Sequence, residues 1–152
     1  MSKQPLIVQN NEDKKVCNNC TDCCCENIPG AWSPYQLTLL EISKLIERKE
    51  AIFWHVYEKW YILRPVNFAT ENYDSIFTKD YPRGKCCFLL LKGCRLSFEN
   101  RPLECQGVIP TIGNSCKSSP GTTLEDIGKM WNLYKIRIRK LAKIFDDDHY
   151  AL

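Results

Sequence analysis

The stretch "VCNNCTDCCCEN", residues 16 to 27, places Cys17, Cys20, Cys23, Cys24 and Cys25 within nine positions, half of the ten cysteines in the chain. A two-residue gap lets successive thiolates turn back toward one ion or cluster, which is why this spacing recurs at zinc sites and in iron-sulfur proteins. The spacing points to metal without choosing the metal, because all-cysteine sites accept zinc and iron alike. Adjacent cysteines add a constraint. In extended backbone, neighbouring side chains point to opposite sides, so Cys23 and Cys24 do not readily serve one mononuclear tetrahedral ion together. The doublet fits two neighbouring sites, a polynuclear centre, or one ligand beside a structural thiol.

A second group comprises Cys86, Cys87, Cys94, Cys105 and Cys116, set in "CCFLLLKGC", "ENRPLEC" and "IPTIGNSC". Its spacing is too loose to be a motif alone, but with the first group it supplies thiolates for two four-ligand sites, or for one cluster with several structural cysteines. Cys25 and Cys87 read as extra, and buried cysteine also packs as a small hydrophobe. Arg101 falls between Cys94 and Cys105, where a guanidinium can donate hydrogen bonds to a thiolate-rich, negatively charged centre. The competing reading is a surface arginine before a turn, with Pro102 stiffening the approach to Cys105. Thiolates must lose protons to bind metal, so folding and metal loading are expected to be coupled.

These pieces, "CNNCTDCC", a helix opening "LTLLEI", "CCFLLLKGC", "RPLEC" and a last cysteine before a C-terminal helix, resemble the cysteine-cluster family named for the pattern CxxCxxCC and described as zinc- or iron-chelating. The resemblance covers most of residues 16 to 145 and implies a ligand set of Cys17, Cys20, Cys23, Cys24, Cys86, Cys94, Cys105 and Cys116. The chain departs from that pattern in three places. Cys87 stands where the family has proline, "CRLSFENRP" is one residue longer, and Phe98 approximates a tyrosine position. A CxxCxxCC segment also resembles one in flagellin lysine methylases, which gives the alternative of a cluster-dependent redox or group-transfer enzyme component.

Hydrophobic residues at 44% and charged residues at 26% describe an ordinary globular chain of single-domain length. The opening fifteen residues have no apolar signal region, and the longest apolar run, "CCFLLL", is far too short to span a bilayer. The expectation is a cytoplasmic protein without a membrane partner, in a reducing compartment where clustered cysteines bind metal rather than pair as disulfides. Net charge is only +3, yet Lys129 to Lys143 holds six basic residues and no acid before Asp146, Asp147 and Asp148. Such a run is ordinarily a solvated helix face. Its aromatics Trp131 and Tyr134 fall on the apolar seam rather than among the bases, so no nucleic-acid partner is expected. His55 sits among aromatics as a packing histidine, His149 lies near the C-terminal end, and no catalytic constellation is visible.

These groups need elements to position them. "TTLEDIGKMWNLYKIRIRKLAKIF" opens with Thr122 and Glu125 at capping-box spacing, which predicts a long helix from Leu124. Its seam, Ile127, Trp131, Tyr134, Ile138, Leu141 and Phe145, can dock on the core or pair with another protein or a second copy. Thr38 and Glu41 predict a helix from Leu39 to about Arg48, with Ser33-Pro34 and Gln36 as an earlier competing start. Trp60 to Phe68 suits a strand edged by Pro65, and Tyr81 to Pro120 reads as metal-organised loops. The resulting fold class is α+β: a small domain over residues 16–145 with one central helix, a short sheet, irregular cysteine-rich loops and the long helix. Residues 1–15 form a flexible lead and 146–152 a tail.

Overall fold

The computed structural model describes residues 30–57, 59–66, 75–80, 86–88, 90, 94–106, 108–109, 117–118, 124–145 and 147. Helix α1 spans Leu39–Glu47 and opens on the predicted capping box: the Thr38 hydroxyl accepts from the Glu41 backbone N–H, and the Glu41 carboxylate accepts from the Thr38 N–H. Ser33 begins a turn instead of a helix, its N–H donating to the Gln36 amide oxygen. Ile42 and Ile46 form the buried stripe of α1.

The chain then reverses through strands β1 (Ala51–Val56) and β2 (Trp60–Pro65), an antiparallel hairpin in register from Ala51 opposite Pro65 to Val56 opposite Trp60. Tyr57 at the hairpin tip has φ 53°, a left-handed backbone turn made without glycine. Strand β3 (Phe77–Thr78) lies parallel to β1 on its other side, giving the sheet order β2-β1-β3. On the free edge of β2, Trp32 bridges Leu63 and donates its N–H to the Leu63 carbonyl at 3.0 Å. The segment just after the first cysteine group is thereby pinned to the sheet.

A 3-10 turn at Phe98–Asn100 precedes the one-turn helix α2 (Leu103–Gln106), followed by the short antiparallel pair β4 (Val108–Ile109) and β5 (Lys117–Ser118). The molecule is α+β, as its sequence predicts. Helix α3 begins at Leu124 and runs to Leu133; α4 follows over Lys135–Ile144. The predicted seam holds through both, with Ile127, Trp131, Ile138 and Leu141 buried and Phe145 against the core. The expected continuous helix is nevertheless interrupted at Tyr134, whose ring packs edge-on against Tyr35 at 5.3 Å. Arg137 lies over the Tyr134 ring and donates to the Pro34 and Leu37 carbonyls at 2.9 and 3.1 Å, drawing α4 toward the loop before α1.

The core sits between the sheet and these helices. Trp131 meets Phe53 edge-to-face and donates its indole N–H to the Trp32 carbonyl at 2.7 Å. Gly128 lets α3 close on β2, since a Cβ there would stand 2.8 Å from the Trp60 ring. His55 stacks on Tyr61 across the hairpin at 4.3 Å, a packing role as expected. Thr122 and His149 lie outside the described residues, whereas Asp147 ties the chain beyond α4 to β3 by accepting from the Ser75 hydroxyl and the Ile76 N–H, each at 2.7 Å.

Candidate functional site

Four of the ten cysteines fall among the described residues: Cys86 in the core, and Cys87, Cys94 and Cys105 half-buried. The first pair is held at the exit of the hairpin. The Cys87 N–H donates to the Val66 carbonyl at 2.9 Å, while the Val66 N–H donates to Glu50. The loop folds back through Arg95, whose N–H donates to the Phe88 carbonyl at 2.7 Å and whose guanidinium covers the Phe88 ring and pairs with Glu50 at 2.7 Å. Phe88 in turn packs edge-on against Trp32. This seating returns the chain to within electrostatic reach of Cys86, whose charge Cys94 feels.

Cys105 arrives by a different route. The Pro102 carbonyl accepts from the N–H groups of Cys105 and Gln106, forming the single turn of α2. Gln36 ties that turn to the segment before α1: its amide oxygen accepts from the N–H groups of Ser33 and Leu103, and its amide donates to the Arg101 carbonyl at 2.8 Å. Glu104 adds a second tie, accepting from the Ala31 N–H at 2.8 Å and from the buried Arg64 at 3.3 Å. At the end of this framework Gly30 lies so close to Cys105 that a Cβ at residue 30 would run into the thiol sulfur.

The electrostatics divide the described thiols. Burial pushes the Cys94 thiol up, and the neighbouring charges of Cys105 and Cys86 push it further; the Leu96 backbone and Arg101 pull the other way. Cys94 therefore shares an electrostatic neighbourhood with two other expected ligands and with Arg101. The arginine is not a surface residue. It is 7% exposed, and its Nε donates to the Leu96 carbonyl at 3.0 Å. Cys87 faces different company. The hydrogen bond from the Cys86 thiol holds its pKa below the ordinary thiol value, helped by Arg95 and Val66 against burial and Glu50. As a thiol it donates to the Glu50 carbonyl at 3.5 Å.

Of the residues expected from sequence, Cys86, Cys94, Cys105 and Arg101 are among the described residues, with Cys94 within electrostatic reach of the other three, and Cys17, Cys20, Cys23, Cys24 and Cys116 lie outside the described residues, as does Cys25. Among the described residues no three histidine, cysteine or acidic side chains stand close enough to hold a metal ion by themselves. Sequence reasoning passed over Gly30, Arg64 and Glu104 and read Gln36 only as part of an earlier helix start, whereas these residues surround and tie down the turn that carries Cys105. The one available signal was a carboxylate immediately before Cys105 in "RPLEC", too common a pairing to single out. Among the described residues no helix is long and apolar enough to cross a membrane. Comparison with protein-family models, with curated proteins and with solved structures finds no match.

Proposed function

We propose that this chain is a cytoplasmic thiolate metalloprotein, in which cysteines of both groups converge on one centre and hold zinc or an iron-sulfur cluster. The observation that carries the reading is the environment of Cys94, which feels Cys86, Cys105 and the buried Arg101 at once. Three thiols and a cation are a donor set suited to a thiophilic ion, with Arg101 as counter-charge once the thiols ionise. The contact of Gly30 with Cys105 adds a covalent argument. Cys23, Cys24 and Cys25 lie within seven residues of Gly30, so no path of the chain can carry their Cα atoms more than roughly 25 Å from it. The donors still needed would come from Cys17, Cys20, Cys23, Cys24 and Cys116. A thiolate-held zinc would crosslink the loops, whereas a cluster would add one-electron chemistry.

The test is anaerobic purification followed by metal and acid-labile sulfide analysis of wild type, Cys94→Ser, Cys105→Ser and Cys87→Ser. Loss of metal from the first two variants with retention in Cys87→Ser is expected, since Cys87 is turned toward Glu50. Wild-type protein without metal, or full loading of Cys94→Ser and Cys105→Ser, would refute the assignment.

A further inference from the structure

A helix that has buried its apolar stripe ordinarily shows water a polar face. The C-terminal helices depart from this. Ile127, Trp131, Ile138, Leu141 and Ala142 already face the core, yet Leu133, Ile136 and Ile144 are 73%, 64% and 57% exposed. These three are half of the six large hydrophobic residues exposed among the described residues. Ile136, Lys140 and Ile144 recur four residues apart, the spacing that aligns side chains on one face of α4 along about 12 Å of axis, and Leu133 lies just before the interruption at Tyr134.

The charge on α4 itself has one sign, with the aspartates Asp146, Asp147 and Asp148 following beyond its end. Helix α4, "KIRIRKLAKI", carries Lys135, Arg137, Arg139, Lys140 and Lys143 without an acidic residue. Arg137 is committed to the Pro34 and Leu37 carbonyls. Lys135, Arg139, Lys140 and Lys143 are exposed, and none has an ion-pair partner among the described residues. Lys143, in the last turn, also complements the helix dipole, but that accounts for one charge of the four.

We propose that α4, with Leu133 at the end of α3, is a docking ridge for anionic lipid surfaces, lying on the bilayer interface rather than spanning it. Aliphatic side chains bordered by lysine and arginine match that surface: the apolar groups enter the acyl boundary while the long basic chains reach the headgroups. A second copy of the ridge would set like charges against one another. Nucleic acid would lack stacking partners, because Trp131 is fully buried and Tyr134 is held between Tyr35 and Arg137.

Full-length protein is incubated with sedimentable vesicles of phosphatidylcholine alone, or of phosphatidylcholine with about one third phosphatidylserine, and the bound fraction is measured. Wild type binds the anionic vesicles at least about ten-fold more tightly, and the preference collapses as ionic strength rises toward about 0.5 M. The R139E/K140E/K143E variant loses this binding and Ile136→Ser weakens it several-fold, both with wild-type circular dichroism and melting. Failure of wild type to bind anionic vesicles, equal binding to both compositions, or undiminished binding by the charge-reversed variant would overturn the proposal. So would tighter binding to an RNA oligonucleotide than to the vesicles.

Discussion

Replacing Gly30 by alanine tests the framework around Cys105 with a single methyl group. The added Cβ would collide with the Cys105 sulfur and stand 3.2 Å from the Cys105 backbone nitrogen and 3.5 Å from its Cβ. Rotation of the thiol relieves the first contact only by moving the sulfur out of its place, and the tight approach to the backbone remains. Overpacking of this kind costs about 1–3 kcal/mol, against which alanine restricts the unfolded chain and returns about 0.4–1 kcal/mol. The net loss is at most about 2.6 kcal/mol, or up to about 10 °C in melting temperature for a domain of this size, and the collision with the sulfur places it toward the upper end. Thermal unfolding of Gly30→Ala, Cys105→Ala and the double variant, with metal per chain measured on the same preparations, reads out both effects. Gly30→Ala should lower stability and metal content together, and in the Cys105→Ala background it should cost clearly less stability, since only the 3.2 Å approach to the backbone nitrogen remains. An equal loss in both backgrounds, or none in either, would refute the proposed contact.

Two further substitutions and a labelling experiment probe other parts of the molecule. Burial holds the Glu104 pKa above its ordinary value in spite of Arg64 and the Ala31 N–H. Its contribution to stability is therefore fully present below the unfolded pKa, about 4.5, and is lost as pH rises through the folded value. Urea titrations from acid to neutral pH should show that slope in wild type and a flatter one in Glu104→Gln; identical slopes would argue against the buried carboxyl. Trp131→Phe removes the 2.7 Å bond to the Trp32 carbonyl and should lose about 1–3 kcal/mol from that acceptor, besides the lost ring volume, as measured by thermal melting. In metal-free protein, alkylation mapped by peptide mass spectrometry should reach Cys87 at lower pH than Cys94, because the Cys86 hydrogen bond favours the Cys87 thiolate and burial disfavours that of Cys94.

The parts of the fold legible in the sequence are those written in local chemistry. Thr38 and Glu41 announce the start of α1 through two reciprocal hydrogen bonds, and the apolar steps from Ile127 to Leu141 show which side of α3 and α4 turns inward. Strand β1 was not legible. "AIFWHV" is buried at every position but His55, so it lacks the alternation that marks a half-exposed strand, and its parallel partner β3 lies outside any local window. The interruption at Tyr134 is tertiary, set by Tyr35 and the carbonyls before α1 instead of by a proline or glycine. At the candidate site, Cys86, Cys94 and Cys105 were expected as ligands from a family resemblance, since the spacing of their group is too loose to be a motif alone. The seating of the turn that carries Cys105 depends on Gln36, Glu104 and Arg64, side chains whose long-range pairings carry no local signature.

The hydrogen bond from Trp131 to Trp32 joins residues ninety-nine positions apart. A ribosome adding about 5–20 residues each second needs about 5–20 s to travel that distance. Through that interval the cysteine-rich opening and Trp32 are already made, while the indole that locks Trp32 against the sheet does not yet exist. Cys94 and Cys105 are also translated late, only shortly before that indole. The Trp32 carbonyl, and the sheet edge on which Trp32 lies, therefore wait for almost one hundred further residues before the indole donor is made, so this long-range contact is among the last parts of the core that can close.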